Sequence, residues 1–482
     1  MNMKTLSILF VLSAFLYTSC SSGNSNQGYT TTTQPTAATS PEQNFDNSLP
    51  KGKIVDSVVC QSQNTQSFAL YLPTNYSANK KFPCIYLYDS HARGALPVRL
   101  YKNLAEKYGF ILIASNNSKN GLEWPETNQV IKVLMDDTRH RINIDPQRIY
   151  TAGFSGGARV ASSIAIYQGG IAGVIGCAAG FPTLQNGLPT KFDYFGLIGD
   201  YDFNLTEMEK LDETLEQNGF AHQLLTFDGK HDWPSSSEFQ TALLWIQANA
   251  MKENIQPKND TLITNLKNDY EKRIATAKAS GDVIREHELL DGLVRLMDGL
   301  SDASSYKKQL ADLNADTDYK SAVTLQTQIE QEEQNEQQTL GQQFIQQDEK
   351  WWDRKIAFLY QNVKTAKTRQ ESQMNQRLLN FLGLVAYINS DHALNENNLT
   401  NAPTYLRLYK LVDPENPDCS YLTAVYNMKK GDSKQAISSL NEAASLGYSD
   451  VSKLTTDPVF NSLHGNTGFD GIVAIIKANN SK

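Results

Sequence analysis

The sequence predicts two unlike halves, an α/β half with a mostly parallel sheet and helices on both faces, followed by an all-α half. From residue 52 to about residue 250, short β-branched or aromatic runs alternate with amphipathic stretches, as in βαβ units. After residue 250 the composition changes to Gln, Glu, Lys and Leu, with apolar residues every three or four positions. That spacing is typical of helices.

The individual elements follow from the same periodicities. Strands are expected at residues 67–72, 84–88, 110–114, 149–152, 173–177, 194–198 and 223–227. Helices are expected between them at residues 98–108, 126–139, 158–167, 207–218 and 237–248. The second half should contain long helices at residues 262–279, 283–300, 316–347 and 351–367.

The first segment has the pattern of an export signal. Lys4 precedes an apolar run, residues 6–16, that is too short to span a bilayer and is followed closely by Cys20. With small residues before Cys20 and polar residues after it, the segment resembles a bacterial lipoprotein signal peptide, although Tyr17 stands where a branched apolar residue is usual. The resemblance implies acylation of Cys20 and a lipid-anchored protein of the cell envelope. Simple cleavage and secretion is the alternative.

Changes in composition divide the chain into five segments. We expect a signal peptide at 1–19, a disordered tether at 20–50, an α/β domain at 51–250, a long-helix region at 251–370 and helical repeats at 371–482. Because the composition changes near residue 250, a chain ending at about residue 252 is expected to stay folded and active.

The end of the chain resembles a tetratricopeptide repeat at residues 417–448. Ala424, Ala436, Leu440 and Ala443 fall at that repeat's small and apolar positions, with a Gly-Asp turn between the helices. A second repeat would lie at about residues 376–411, and an unrelated helical bundle is the alternative. The resemblance implies a protein partner on the repeats.

Charge and cysteine usage exclude some functions. The chain has 44 basic and 52 acidic residues, a net charge of -8, which argues against nucleic acid or anionic lipid as the main partner. Its other cysteines stand apart from one another: Cys60, Cys84, Cys177 and Cys419. Export would permit disulfides between them, and buried free thiols are the alternative.

Residues 153–157 read G-F-S-G-G, a G-x-S-x-G element between a predicted strand and a predicted helix. This context resembles the nucleophile elbow of the α/β-hydrolase family, in which a serine on a sharp turn projects its hydroxyl at a helix N-terminus. The resemblance implies the α/β-hydrolase fold, with Ser155 as the nucleophile.

A serine nucleophile needs a base, and the family's chain order of Ser, Asp or Glu, then His places it after Ser155. His231 is the best placed, because it follows the predicted strand 223–227, whereas His222 begins that strand. The acid should follow the strand 194–198. Asp200 and Asp202 are both candidates, and similarity to members with a Gly-x-x-Asp turn favours Asp202.

An oxyanion needs two backbone N–H donors. The elbow geometry makes Gly156 one of them. The second should lie in the loop at residues 88–94, where the family usually has His-Gly. His91 matches and Ala92 does not, which leaves Ser90, His91 and Ala92 as candidates.

The resemblance covers about residues 52–250 and is nearest to compact esterases of the dienelactone hydrolase, feruloyl esterase and polyhydroxybutyrate depolymerase-like kind. It implies hydrolysis of a carboxylic ester, with polymer- or peptide-linked esters among the substrates that an open site admits, and with no metal or cofactor. Short intervals between the three catalytic candidates predict an open site without a lid. Candidate cleft residues are Asn117, Trp124, Phe154 and Trp233. The alternatives are a binding scaffold with an inactive hydrolase fold and a serine peptidase.

Overall fold

The computed structural model describes residues 45–184, 187–188 and 190–479. The predicted signal peptide, Cys20 and most of the predicted tether lie outside these residues. Within them, no helix combines the length and the apolar character needed to cross a membrane.

The described part of the α/β half contains eight strands and five helices. The strands are β1 (Ile54–Val59), β2 (Ser67–Tyr71), β3 (Phe82–Asp89), β4 (Ile111–Ser115), β5 (Ile144–Phe154), β6 (Gly173–Cys177), β7 (Asp193–Gly199) and β8 (His222–Phe227). The helices are α1 (Ala95–Tyr108), α2 (Trp124–Arg141), α3 (Gly156–Tyr167), α4 (Leu205–Gln217) and α5 (Ser236–Lys252). Sequence patterns missed only β1 among these elements, because this edge strand is half exposed and lacks a regular apolar alternation.

The second half is helical throughout its described part. Its helices are α6 (Asp260–Ser280), α7 (Val283–Met297), α8 (Ser304–Ala315), α9 (Thr317–Gln343), α10 (Glu349–Thr365), α11 (Arg369–Asn395), α12 (Ala402–Val412), α13 (Pro417–Lys429), α14 (Ser433–Ser445), α15 (Val451–Thr456) and α16 (Thr467–Asn479). A short 3₁₀ helix, Pro458–Leu463, precedes α16. Helix α8 was not predicted.

All eight strands form one sheet in the order β1-β2-β4-β3-β5-β6-β7-β8. Strand β2 pairs antiparallel with both β1 and β4, and the remaining strands are parallel. Parallel strands point their carboxyl ends to the same edge, so the loops after β3, β5, β7 and β8 lie side by side. The predicted α/β class with a mostly parallel sheet is confirmed.

Alternating side chains of the strands fill two cores, one on each face of the sheet. In β3, Ile85 and Leu87 belong to the core under α1 and α5, whereas Tyr86 and Tyr88 belong to the core under α2, α3 and α4. This is the period-two alternation of a strand buried on both faces. The sheet is therefore held from both faces, and the loops that follow its strands begin from fixed positions.

The first of these cores continues past residue 250. Phe239 and Trp245 of α5 share it with Leu266 of α6, Leu293 of α7 and Tyr306 of α8. A separate core begins at Ile329 and extends to the last helix. The change in composition near residue 250 is therefore not a break in the apolar core, and the predicted domain boundary stays a prediction.

The C-terminal helices include the expected hairpin of α13 and α14. Its small and apolar residues are fully buried, namely Ala424, Ala436, Leu440 and Ala443. The assignment to tetratricopeptide repeats stays a prediction. The four cysteines Cys60, Cys84, Cys177 and Cys419 are free and buried, as in the second of the two alternatives above.

Candidate active site

Ser155 lies on the sharp turn between β5 and α3. Its φ of 55° and ψ of -121° are strained for a residue with a side chain. The turn is possible because its neighbours lack side chains: a Cβ on Gly153 would lie 2.1 Å from the carbonyl oxygen of Gly157, and one on Gly157 would lie 2.0 Å from that of Tyr88. The geometry is that of a nucleophile elbow.

The structure brings Ser155, His231 and Asp202 together in a single hydrogen-bonded chain. His231 Nε2 is 2.9 Å from Ser155 Oγ, and His231 Nδ1 is 2.8 Å from Asp202 Oδ2. Asp202 is fully buried, and its second oxygen accepts from the backbone N–H of Asn204 at 2.9 Å. The three residues that the sequence named as candidate nucleophile, base and acid are therefore linked by hydrogen bonds.

Asp200, the other candidate acid, faces away from His231. Its carboxylate pairs with Arg285 of α7 and, at 3.4 Å, with Arg369 of α11. It therefore binds the helical half to the turn. His222 is equally remote, because its ring lies between Asp212 and Glu216 at 2.7 and 2.9 Å.

Two phenylalanine rings flank the imidazole of His231. Phe154 lies 4.8 Å from it and Phe203 lies 4.3 Å from it, between ring centroids. Phe154 also contacts Trp233, whose indole Nε1 donates to Asp89 Oδ2 at 2.9 Å. Phe154 and Trp233 thus lie in the site, where the sequence placed them, while Phe203 gave no sequence signal.

The loop after β3, residues 89–94, is organised by Asp89 and is called the oxyanion turn below. The buried Asp89 carboxylate accepts from the backbone N–H of His91 at 2.9 Å and from the Arg93 side chain at 2.9 and 3.0 Å. Burial opposes its charge, but the Arg93 guanidinium and the hydrogen bonds lower the pKa of Asp89 overall.

This turn uses the amides that the sequence offered as oxyanion donors. The N–H of His91 donates to the Asp89 side chain, and that of Ala92 donates to the Asp89 carbonyl at 3.2 Å. Both N–H groups therefore already donate within the turn. The choice of second oxyanion donor among Ser90, His91 and Ala92 stays a prediction.

The two other cleft candidates lie elsewhere. Asn117 accepts from the backbone N–H of Ser67 at 2.9 Å and so stabilises the end of β2. Trp124 begins α2 and contacts Tyr167 at 5.7 Å between ring centroids. The neighbouring Asn120 is the residue that faces the site, because its side-chain oxygen lies where a Cβ on Gly156 would stand.

Helices of the second half lie against the turn that carries Asp202, residues 199–203, called the acid turn below. Arg377 and Asn380 of α11 donate to carbonyl groups of this turn at 2.9 and 2.6 Å. Two carboxylates of the helical half, Asp418 and Asp450, also influence Arg93 in the oxyanion turn. Burial opposes the charge of Arg93, but Asp89 and these two carboxylates raise its pKa. The helical half therefore contacts the acid turn directly, and the open site without a lid stays a prediction.

The chain is similar over its α/β half to several solved structures. An S-formylglutathione hydrolase from Staphylococcus aureus has 14% identity and a TM-score of 0.33, covering 40% of this chain and 98% of its own. A ferulic acid esterase from Anaeromyces mucronatus has 18% identity and a TM-score of 0.32, covering 41% and 91%. An esterase from Thermogutta terrifontis has 12% identity and a TM-score of 0.34, covering 44% and 97%. No protein-family model and no curated protein matches the chain.

The sheet order, the elbow after β5 and the order Ser, Asp, His along the chain define the class of fold. Together they are the features of the α/β-hydrolase fold, with Ser155 at the carboxyl edge of the sheet. The chain therefore has an α/β-hydrolase fold followed by a helical region.

Proposed function

We propose that this protein is a serine hydrolase that cleaves a carboxylic ester through an acyl-enzyme intermediate. The observation that carries the proposal is the continuous chain from Ser155 Oγ through His231 to the buried carboxylate of Asp202, at 2.9 and 2.8 Å. A serine that hydrogen-bonds to an oriented imidazole is an activated nucleophile.

Acylation follows from this geometry. Ser155 Oγ attacks the ester carbonyl carbon while His231 Nε2 takes the hydroxyl proton. Asp202 keeps the other proton on Nδ1 and stabilises the imidazolium that forms. The tetrahedral intermediate then collapses, and its C–O bond to the alcohol breaks as His231 returns the proton to the leaving oxygen.

Two backbone amides are proposed to hold the oxyanion. Gly156 supplies one at the N-terminus of α3, where the helix dipole also favours negative charge. Ser90 supplies the other, since His91 and Ala92 donate within the oxyanion turn. Asp89 then acts indirectly, by fixing the turn that presents Ser90.

Deacylation repeats the same steps with water. His231 takes a proton from a water molecule, whose oxygen attacks the acyl carbon of Ser155. The second tetrahedral intermediate then collapses: the bond from the acyl carbon to Ser155 Oγ breaks, the carboxylic acid leaves, and His231 returns the proton to Ser155 Oγ. The rings of Phe154 and Phe203 limit the space around the imidazole during both halves of the reaction.

A fluorophosphonate probe tests the proposal directly, because it labels only an activated serine. Wild type should label and should hydrolyse p-nitrophenyl acetate or butyrate, and Ser155→Ala should do neither. If wild type fails in both assays, the proposal is wrong and the binding-scaffold alternative takes its place. Faster turnover of a matched p-nitroanilide than of the ester would favour a serine peptidase instead.

We also propose that the protein is anchored in the cell envelope through a lipid on Cys20. The support is the short apolar run behind Lys4, with small residues before Cys20 and polar residues after it. A lipid anchor would hold the hydrolase at a membrane surface, beside ester substrates and protein partners of the helical region.

A further inference from the structure

Every backbone carbonyl group of the acid turn accepts a hydrogen bond. Gly199 and Asp202 accept from N–H groups of the local chain, both at 3.0 Å. The three other carbonyls accept from side chains of the helical half: Asp200 from Arg377 Nη1 at 2.9 Å, Tyr201 from Asn380 Nδ2 at 2.6 Å and Phe203 from Gln337 Nε2 at 3.3 Å. The path of this turn therefore depends on α9 and α11.

Arg377 is buried where it makes this contact. Its side chain is 3% exposed and that of its partner Glu333 is 1% exposed. Arg377 Nε and Nη2 bind the Glu333 carboxylate at 2.9 and 2.6 Å, which leaves Nη1 directed at the Asp200 carbonyl. Gln337, one helical turn after Glu333, also bonds to that carboxylate at 3.2 Å.

A buried ion pair is a poor source of net stability, because desolvation of both charges offsets their attraction. What the fork geometry of arginine provides is direction, since its donors are fixed in one plane. Here Glu333 fixes the plane of the Arg377 guanidinium. The guanidinium in turn fixes the position of the Asp200 carbonyl, two residues before Asp202. Orientation of the turn explains the arrangement better than stability does.

We propose that Arg377, oriented by Glu333, is a positioning residue for the catalytic acid. It holds the acid turn so that Asp202 Oδ2 meets His231 Nδ1. The helical half is then part of the catalytic apparatus rather than an appendage to it. This inference rests on the proposed function, in which Asp202 orients the base.

The kinetic test uses the full chain and removes the pair without leaving an unpaired buried charge. The variant is Arg377→Gln combined with Glu333→Gln, and Asn380→Ala removes a second contact with no change of charge. Both should lower kcat with little change in KM, the first by about 10- to 100-fold, since a displacement near 1 Å costs about that much. The control is Arg273→Gln, which breaks the ion pair with Asp269 in α6 at a distance from the turn.

A background of Asp202→Asn separates positioning from general damage. If Arg377 acts through Asp202, the double glutamine change should cost nothing further once Asp202 is already replaced, because coupled residues are not additive. An equal loss in both backgrounds, or no loss in wild type, overturns the inference. Arg377→Lys should retain more activity than the double glutamine variant but less than wild type, because lysine keeps the charge and lacks the planar fork.

A spectroscopic measurement keeps this inference distinct from the proposed function. The proton on His231 Nδ1 can be followed by NMR in histidine-labelled protein, whether or not the protein turns over an ester. The double glutamine variant should shift or broaden this resonance, as Asp202→Asn does, and Arg273→Gln should not. If wild type fails to label with fluorophosphonate but its His231 resonance changes in the double glutamine variant, the proposed function alone is refuted. If the resonance is unchanged in that variant, the positioning role is refuted.

Discussion

The indole of Trp233 donates to the carboxylate of Asp89 at 2.9 Å, although the two residues are 144 positions apart. The contact joins the loop that carries His231 to the oxyanion turn after β3. Asp89 also holds Arg93 and the backbone N–H of His91. One buried carboxylate thus ties the loop that carries His231 to the oxyanion turn.

Trp233→Phe should weaken catalysis because it removes this hydrogen bond and keeps an aromatic ring beside Phe154. A hydrogen bond to a charged group contributes about 1.5–3 kcal/mol, so kcat/KM should fall by roughly tenfold or more. Esterase kinetics on p-nitrophenyl butyrate provide the measurement. Trp245→Phe in the core is the matched control, and an equal loss there would mean that only packing matters.

Asp202→Asn and Asp200→Asn distinguish the acid from its neighbour. The first should lower kcat by roughly four orders of magnitude without unfolding the protein, because the imidazole loses its correct tautomer. The second breaks ion pairs with Arg285 and Arg369, so it should reduce stability more than turnover. Greater damage to kcat from Asp200→Asn would contradict this assignment.

Asp193 at the start of β7 should make stability fall as pH rises. Burial, with repulsion from Glu253, raises its pKa from 3.8 to about 7. Because the folded-state pKa is the higher one, this contribution is fully present below about pH 4 and is lost as pH rises through about 7. Asp193→Asn should remove that loss, adding about 4 kcal/mol at pH 8, because each of the roughly three pKa units is worth about 1.4 kcal/mol.

Urea unfolding of wild type and Asp193→Asn at pH 3.5 and pH 8 provides the measurement. The two proteins should differ at pH 8 and converge at pH 3.5. Asp56→Asn is the control, because Asp56 is an exposed carboxylate that pairs with Arg99 at the surface. A difference between wild type and Asp193→Asn that is independent of pH would show that the carboxyl group does not titrate in this range.

A chain that ends at residue 252 should be insoluble or unfolded, which reverses the expectation drawn from composition. Such a chain loses the part of the first core that lies on α6, α7 and α8, and so exposes the side of α5 that packs against α6 and α7. A chain that ends at residue 315 keeps this core but loses α9 and α11. It should fold yet hydrolyse esters poorly, because the acid turn loses Arg377 and Asn380. Solubility, thermal melting and fluorophosphonate labelling of both chains check this, and cooperative melting of the shorter one would contradict it.

Cys20→Ala should abolish incorporation of labelled fatty acid and shift the protein from the membrane to the soluble fraction. The reason is that the thiol of Cys20 is the proposed site of acylation. Cys60→Ala is the control, since Cys60 is buried and free in the folded chain. Undiminished labelling of Cys20→Ala would favour simple cleavage and secretion.

Some of the site could be predicted because its signals are local. The G-x-S-x-G element carries its own geometry within five residues, and His231 follows a recognisable strand directly. Chain order then restricted the acid to two aspartates. In contrast, Asp89 and Phe203 carry no spacing pattern, and they enter the site only through partners on other loops.

The sequence by itself determined the α/β order, the elbow at Ser155 and the candidates for base and acid, because short-range periodicity and turn chemistry encode them. Only the tertiary structure decided which amides of the oxyanion turn are occupied, and that the helical half bonds to the acid turn. Arg377 and Asp200 are 177 positions apart. No local pattern records such a contact, since it arises only when the packing of two cores brings α11 against the carboxyl edge of the sheet.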